Sequence, residues 1–210
     1  MKRLRRMVGI CAFLGVGLVL NCGISDPNAP QARITENNEY ENDALGIRFS
    51  LPTEWDRELG ATRFDNVVEA NLITLWREDS VTNSTIVVEI QKDIEGADDN
   101  INCTHLSEQL EQDIQNDTLT NLENFSVRYG DDKLIQGTSQ RACYHEFTAV
   151  RTEATRLDTT KIPLSGKQLF WYDSATRFTI IFTFSDLEAG YITGVAAFDQ
   201  LTNSITFYDD

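Results

Sequence analysis

Arg177-Phe-Thr-Ile-Ile-Phe-Thr-Phe-Ser185 is the stretch that decides the fold. Phe178, Ile180, Phe182 and Phe184 fall on one side and Thr179, Ile181, Thr183 and Ser185 on the other, the period-two pattern of a β-strand. Residues 166–173 precede it across a short connection at Ser174-Ala-Thr176, so an antiparallel hairpin is expected. Burying each aromatic or aliphatic side chain contributes about 1.5–3 kcal/mol, so one such strand supplies a large share of a core.

Working outward, residues 45–51 alternate in the same way, with Leu45, Ile47, Phe49 and Leu51 on one face, Pro52 closing the strand and Trp55 folding back onto the core. Residues 67–76 form a second candidate strand, with Val68, Ala70, Leu72, Thr74 and Trp76 on one side, and residues 84–92 a third, led by Ile86, Val88 and Ile90. Leu106, Leu110 and Ile114 recur every four residues and predict a helix over 104–116. Strands follow over 125–129, 133–138 and 140–150, the last carrying Ala142, Tyr144, Phe147 and Val150. Residues 152–165 alternate in charge, are rich in Thr and include Pro163, which predicts an exposed excursion. Val195, Phe198 and Leu201 share a helical face in residues 190–203, after which Ile205 and Phe207 return to the core. Segregated helices and consecutive antiparallel strands give an α+β class, a central antiparallel sheet with helices packed on it.

Gly46-Ile-Arg-Phe-Ser-Leu-Pro-Thr-Glu-Trp55, a helix after a strand pair, Tyr144-His-Glu-Phe147 and the closing run Ala197-Phe-Asp-Gln-Leu-Thr-Asn-Ser-Ile-Thr-Phe207 together resemble the PsbP-like superfamily over residues 44–208. That superfamily includes photosystem II extrinsic subunits and small bacterial lipoproteins. The resemblance implies an α/β/α sandwich and a non-enzymatic accessory, assembly or binding role; it brings over no ligand residue.

The N-terminus has its own logic. Lys2, Arg3, Arg5 and Arg6 are basic, no acid precedes Asp26, and residues 7–20 are a 14-residue apolar run. This is the anatomy of a secretory signal over 1–21, too short for a membrane span. Leu18, Val19 and Leu20 before Cys22 resemble a bacterial lipobox, with Asn21 where Gly, Ala or Ser is usual, so Cys22 is the expected lipid attachment point. The alternatives are an ordinary cleaved signal and an uncleaved anchor. Residues 22–43, rich in Asn, Pro and acids, are expected to be a disordered tether, and 44–210 the single folded domain. Of 18 basic residues four lie in the leader, leaving 14 against 33 acidic ones. That balance excludes phosphate-neutralising nucleic-acid binding and docking by charge on anionic lipid.

Two cysteines remain, Cys103 and Cys143. In an exported protein the leading reading is one disulfide. The rival is zinc: Cys103-Thr-His105 and Cys143-Tyr-His145 repeat a C-x-H pattern and hold both histidines of the chain, a full tetrahedral ligand set. No local motif supplies an enzyme. There is no G-x-S-x-G and no G-x-G-x-x-G; Lys161-Ile-Pro-Leu-Ser-Gly-Lys167 ends like a P-loop but lacks its first Gly and the following Ser or Thr. The expectation is therefore a protein without cofactor, held through lipid on Cys22 at the bacterial cell envelope, on the periplasmic face or outer surface, where it binds a protein partner. A small-ligand or zinc carrier, with His105 and His145 as metal candidates, is the first alternative, and an enzyme whose site has no local motif the second.

Overall fold

The computed structural model describes residues 31–64, 67–78, 83–92, 103–116, 122–129, 133–135, 141–154, 159–174 and 176–208. In chain order its elements are β1 (Ala32–Ile34), β2 (Glu39–Asn42), β3 (Ile47–Ser50), β4 (Asp56–Leu59), β5 (Glu69–Glu78), β6 (Asn83–Lys92), α1 (Cys103–Asn116), β7 (Leu122–Tyr129), β8 (Lys133–Leu134), β9 (Arg141–Ala154), β10 (Thr159–Asp173), β11 (Phe178–Leu187), α2 (Tyr191–Asn203) and β12 (Thr206–Phe207). Among the described residues β1-β2-β3-β12 make a four-stranded sheet, and β4-β5-β6-β11-β10-β9-β7, with β8 beside β9, an eight-stranded one. The fold is α+β in a broad sense, dominated by antiparallel sheet.

β11 sits in the middle of the large sheet. Phe182 stands opposite Leu169 of β10 and Val88 of β6, so the strand is hydrogen-bonded along both flanks. Its aromatic face is buried, and Thr179 and Ile181 on the reverse face are buried too. Both sides of this strand are therefore covered. On the aromatic side an aromatic chain joins the two sheets: Tyr40 stacks on Phe49 at 4.9 Å, Phe49 meets Phe182 edge-on at 5.2 Å, Phe182 stacks on Trp171 at 5.5 Å, and Trp171 meets Phe207 at 5.7 Å. Offset and edge-to-face pairs of this kind add to the burial of their area.

α2 lies on the same side. A side chain at Gly194 would come within 2.5 Å of the Ser84 hydroxyl and 2.8 Å of the Asp186 carboxylate, so only glycine lets the helix approach this closely. The Asp186 carboxylate is itself fully buried and accepts hydrogen bonds from Ser84 Oγ (2.5 Å), the Asn83 amide (2.9 Å) and the Leu187 amide (2.7 Å). α1 covers the reverse side. Ala142 and Tyr144 of β9 belong to the core under α2, whereas Cys143 packs with Phe170, Ile181 and Cys103 of α1.

Three expectations need correction. The stretch read as the end of the tether, within 22–43, is folded: β1 and β2 form a hairpin with Ala32 and Tyr40 buried, and Asn42 donates to the Tyr40 hydroxyl at 3.0 Å. A few buried anchors suffice because β3 supplies the remaining backbone partners. The expected excursion over 152–165 is instead a long β9–β10 ladder, pairing Ala154 with Thr159 and Pro163 with Val150. Near its tip both faces meet solvent, which removes the apolar period, and Pro163 is tolerated because β11 ends opposite Leu164. In β5 a bulge between Asn71 and Ile73 buries two successive residues, Leu72 and Ile73, and then Leu75, leaving Val68 64% exposed. Of the expected strand over 133–138, Lys133–Leu134 pairs with β9, and residues 136–138 lie outside the described residues. The leader, Cys22 and the first part of the tether lie outside the described residues, as do the side chains of Leu106, Leu110 and Ile114.

Candidate binding site

The Tyr144-His-Glu-Phe147 run divides between the two faces of the sheet, because strand side chains alternate. His145 and Phe147 point toward α1; Tyr144 and Glu146 point toward α2. Lys167 of β10 lies opposite Glu146, and Arg128 of β7 lies opposite it on the other flank. Ser165 and Ser126 are the corresponding partners of Thr148. α2 adds Tyr191 and Asp199, which are eight residues, about two turns, apart and so share one side of the helix. Beyond the edge of α2 the sheet thus presents a polar shelf built from three strands and a helix.

At the centre of the shelf is Lys167, whose side chain is only 12% exposed. Its ammonium donates to both Asp199 oxygens, at 3.0 and 3.2 Å, and lies 5.4 Å from the Tyr144 ring centre. The Tyr144 hydroxyl donates to Glu146 at 3.4 Å. Burial pulls the Lys167 pKa down, but hydrogen bonds and charge from Tyr144 and Asp199 outweigh it, leaving the group above the ordinary lysine value. Burial raises Tyr144, against the opposing pull of Lys167. Burial, reinforced by Glu146, pushes Tyr191 up to about 12. The shelf therefore holds Lys167 as a fixed cation and two phenols as neutral groups, beside the side chains of Arg128, Glu146 and Asp199.

Where the shelf runs past Tyr191 it forms an open recess of about 220 Å³. On the reverse face the Phe125–Phe147 stack, 5.4 Å between ring centres, walls an apolar recess of about 340 Å³ with Leu122, Ala149 and Leu164. A third, shallower depression of about 420 Å³ lies by the β5 bulge, lined by Glu69, Ala70, Asn71, Glu89, Ile90 and Gln91. Burial and then Glu69 raise Glu89 there, but no His, Lys, Cys or Ser lines it to partner an acid or base.

The cysteine pair resolves plainly. Cys103 and Cys143 are bonded, S–S 1.99 Å, across 40 residues of chain, tying the first residue of α1 to β9. Their sulfurs are spent on each other and are not thiolate ligands. His145 is fully buried, with Nδ1 3.0 Å from the Ser107 hydroxyl and its ring edge-on to Phe170, whereas His105 lies on the exposed side of α1. The zinc reading of the two C-x-H pairs does not fit this arrangement. Among the described residues no group of three or more His, Cys, Asp or Glu is placed to hold a metal ion. The P-loop-like run ending at Lys167 is strand rather than loop. The shelf itself had no local sequence signal: its members come from four elements.

Burial depresses His145 to about 4, against a raising hydrogen bond from Gln168. The unfolded chain then binds more protons than the folded one between pH 6.5 and 4. Stability from this residue is fully present above pH 6.5 and falls through that window, by about 3 kcal/mol. Urea melts at pH 7, 5.5 and 4 check this. His145→Gln, which cannot titrate there, should lose distinctly less than the wild type; equal losses would remove His145 as the source.

No family model matches the chain, and no curated protein matches it in sequence. Among solved structures it is similar to the solution structure of cyanobacterial PsbP (CyanoP) from Synechocystis sp. PCC 6803, with a TM-score of 0.51 and 12% identity over 95% of this chain and 98% of that one. The crystal structure of LpqN, involved in cell envelope biogenesis of Mycobacterium tuberculosis, is a weaker likeness, with a TM-score of 0.39 and 13% identity over 76% and 82%. The first shows that the fold is PsbP-like.

Proposed function

We propose that this PsbP-like domain acts by binding, as a lipid-anchored accessory or assembly protein outside the cytoplasm, and that the polar shelf is its contact surface. The observation that carries the reading is the charge state of the shelf. A general acid or base works best with a pKa near the ambient pH. Here Lys167, Tyr144 and Tyr191 are all moved away from neutrality. Such groups suit recognition of a partner better than proton transfer.

The address rests on the leader and Cys22, supported by the Cys103–Cys143 bond, since disulfides persist in oxidising compartments. Among the described residues no helix is long and apolar enough to cross a membrane. The proposed attachment is therefore the lipid on Cys22.

Two measurements test this. Mass spectrometry of the mature N-terminus should find a diacylated or triacylated Cys22; an unmodified Cys22 would overturn the anchor. Affinity capture from envelope extract should retain a partner that is lost when the exposed Thr148 is changed to Arg, which blocks the shelf without touching the core. A partner held equally by Thr148→Arg, or turnover of a substrate with no partner captured, would overturn the reading.

A further inference from the structure

The recess at the outer end of the shelf is lined by Ser126, Arg128, Glu146, Thr148, Ser165 and Tyr191, with Phe147 beside them. Its two charges are opposite and sit on directly paired residues of β7 and β9. Side chains so placed start from Cβ atoms roughly 4.5–5.5 Å apart, close enough to neutralise one another. They do not pair with one another among the described residues. Glu146 accepts from the Tyr144 hydroxyl, and among the described residues no ion pair engages the exposed Arg128 guanidinium. A carboxylate has room for about four hydrogen bonds and a guanidinium offers five donors, so both retain capacity directed at the recess.

We infer that this recess binds a small zwitterion, with its carboxylate or phosphate on Arg128 and its ammonium on Glu146. A simple anion would face the Glu146 carboxylate at short range, and a simple cation would face Arg128. Only a ligand carrying both charges satisfies both groups. The Tyr191, Ser126 and Ser165 hydroxyls donate to or accept from either end. The volume, about 220 Å³, is below the roughly 300 Å³ at which drug-sized sites begin, which suits a ligand about the size of a free amino acid. In a chain with a formal net charge of −15, a neutral ligand also avoids long-range repulsion. The inference rests on the binding reading above and names the ligand class for one end of the same surface.

The test uses the intact domain and L-alanine as probe, titrated at neutral pH and low salt by NMR. Saturable shifts are expected at the amides of Ser126, Arg128, Glu146 and Ser165. Alaninamide, which keeps only the ammonium, and N-acetylalanine, which keeps only the carboxylate, should each bind roughly tenfold more weakly or worse, as loss of a charge-assisted hydrogen bond implies. Arg128→Gln and Glu146→Gln should each weaken alanine by a similar factor. No saturable shift with alanine, or N-acetylalanine binding as tightly as alanine, would overturn the inference, and neither outcome depends on a variant folding. Capture that is sensitive to Thr148→Arg but not accompanied by alanine binding would overturn the zwitterion while leaving the binding reading intact.

Discussion

Phe182→Ala should destabilise the domain by about 3–5 kcal/mol, measured as a shift in the urea midpoint at unchanged slope. The side chain is fully buried in the central strand and touches Phe49 of the small sheet and Trp171 of the large one. Removing the ring therefore loses its transfer free energy and opens a cavity at the seam between the sheets. The seam cannot close readily, since Trp171, Tyr40 and Phe49 are fixed by strand pairing on both sides. Small domains have about 5–15 kcal/mol of stability in all, so this single change would take a large part of it. Phe182→Leu, which conserves most of the volume, should cost less than about 1.5 kcal/mol. Equal losses for the two would show that the cavity is not the source.

Removing the disulfide should have an effect of the same order. A bridge across 40 residues is worth about 4 kcal/mol in the loop-entropy model. Cys103→Ser with Cys143→Ser, or reduction of the native protein, should lower stability by that amount. The loss should also be local before it is global. α1 is held to the sheet by the bridge, by Ser107 to His145 and by Gln115 to the Phe125 carbonyl at 3.1 Å. Hydrogen exchange in residues 103–116 should therefore accelerate more than in β11. Unchanged stability and unchanged protection of α1 would show that the bridge bears no load.

How much of this was legible depended on whether the burial pattern kept one period. β6 did, with buried and less buried residues alternating from Ser84 to Ile90, whereas β11 kept the period in its residue types alone, since Thr179 and Ile181 behind the aromatic face are buried too. β5 did not, since its bulge shifts the phase between Asn71 and Ile73. The β1–β2 hairpin hid in a segment of polar composition because its stability comes from Tyr40, Ala32 and backbone pairing to β3. Parity and compartment sufficed for the Cys103–Cys143 bond. The shelf could not be read at all. Lys167 drew notice only as the end of an imperfect P-loop, and Glu146 only within a run whose neighbours face the other way. Its partners Asp199 and Tyr191 arrive from α2, and no spacing in sequence encodes a contact made between elements.

The pairing of β12 with β3, Phe207 beside Ile47, has a consequence for the order of assembly. The Tyr208 amide donates to the Gly46 carbonyl at 2.9 Å and the Tyr208 hydroxyl to Asp43 at 3.0 Å, so residues 43–47 are completed by residues 206–208. A chain that emerges from its N-terminus must keep the edge of β3 open until Phe207 arrives. The small sheet, and with it the seam around Phe49 and Phe182, closes late.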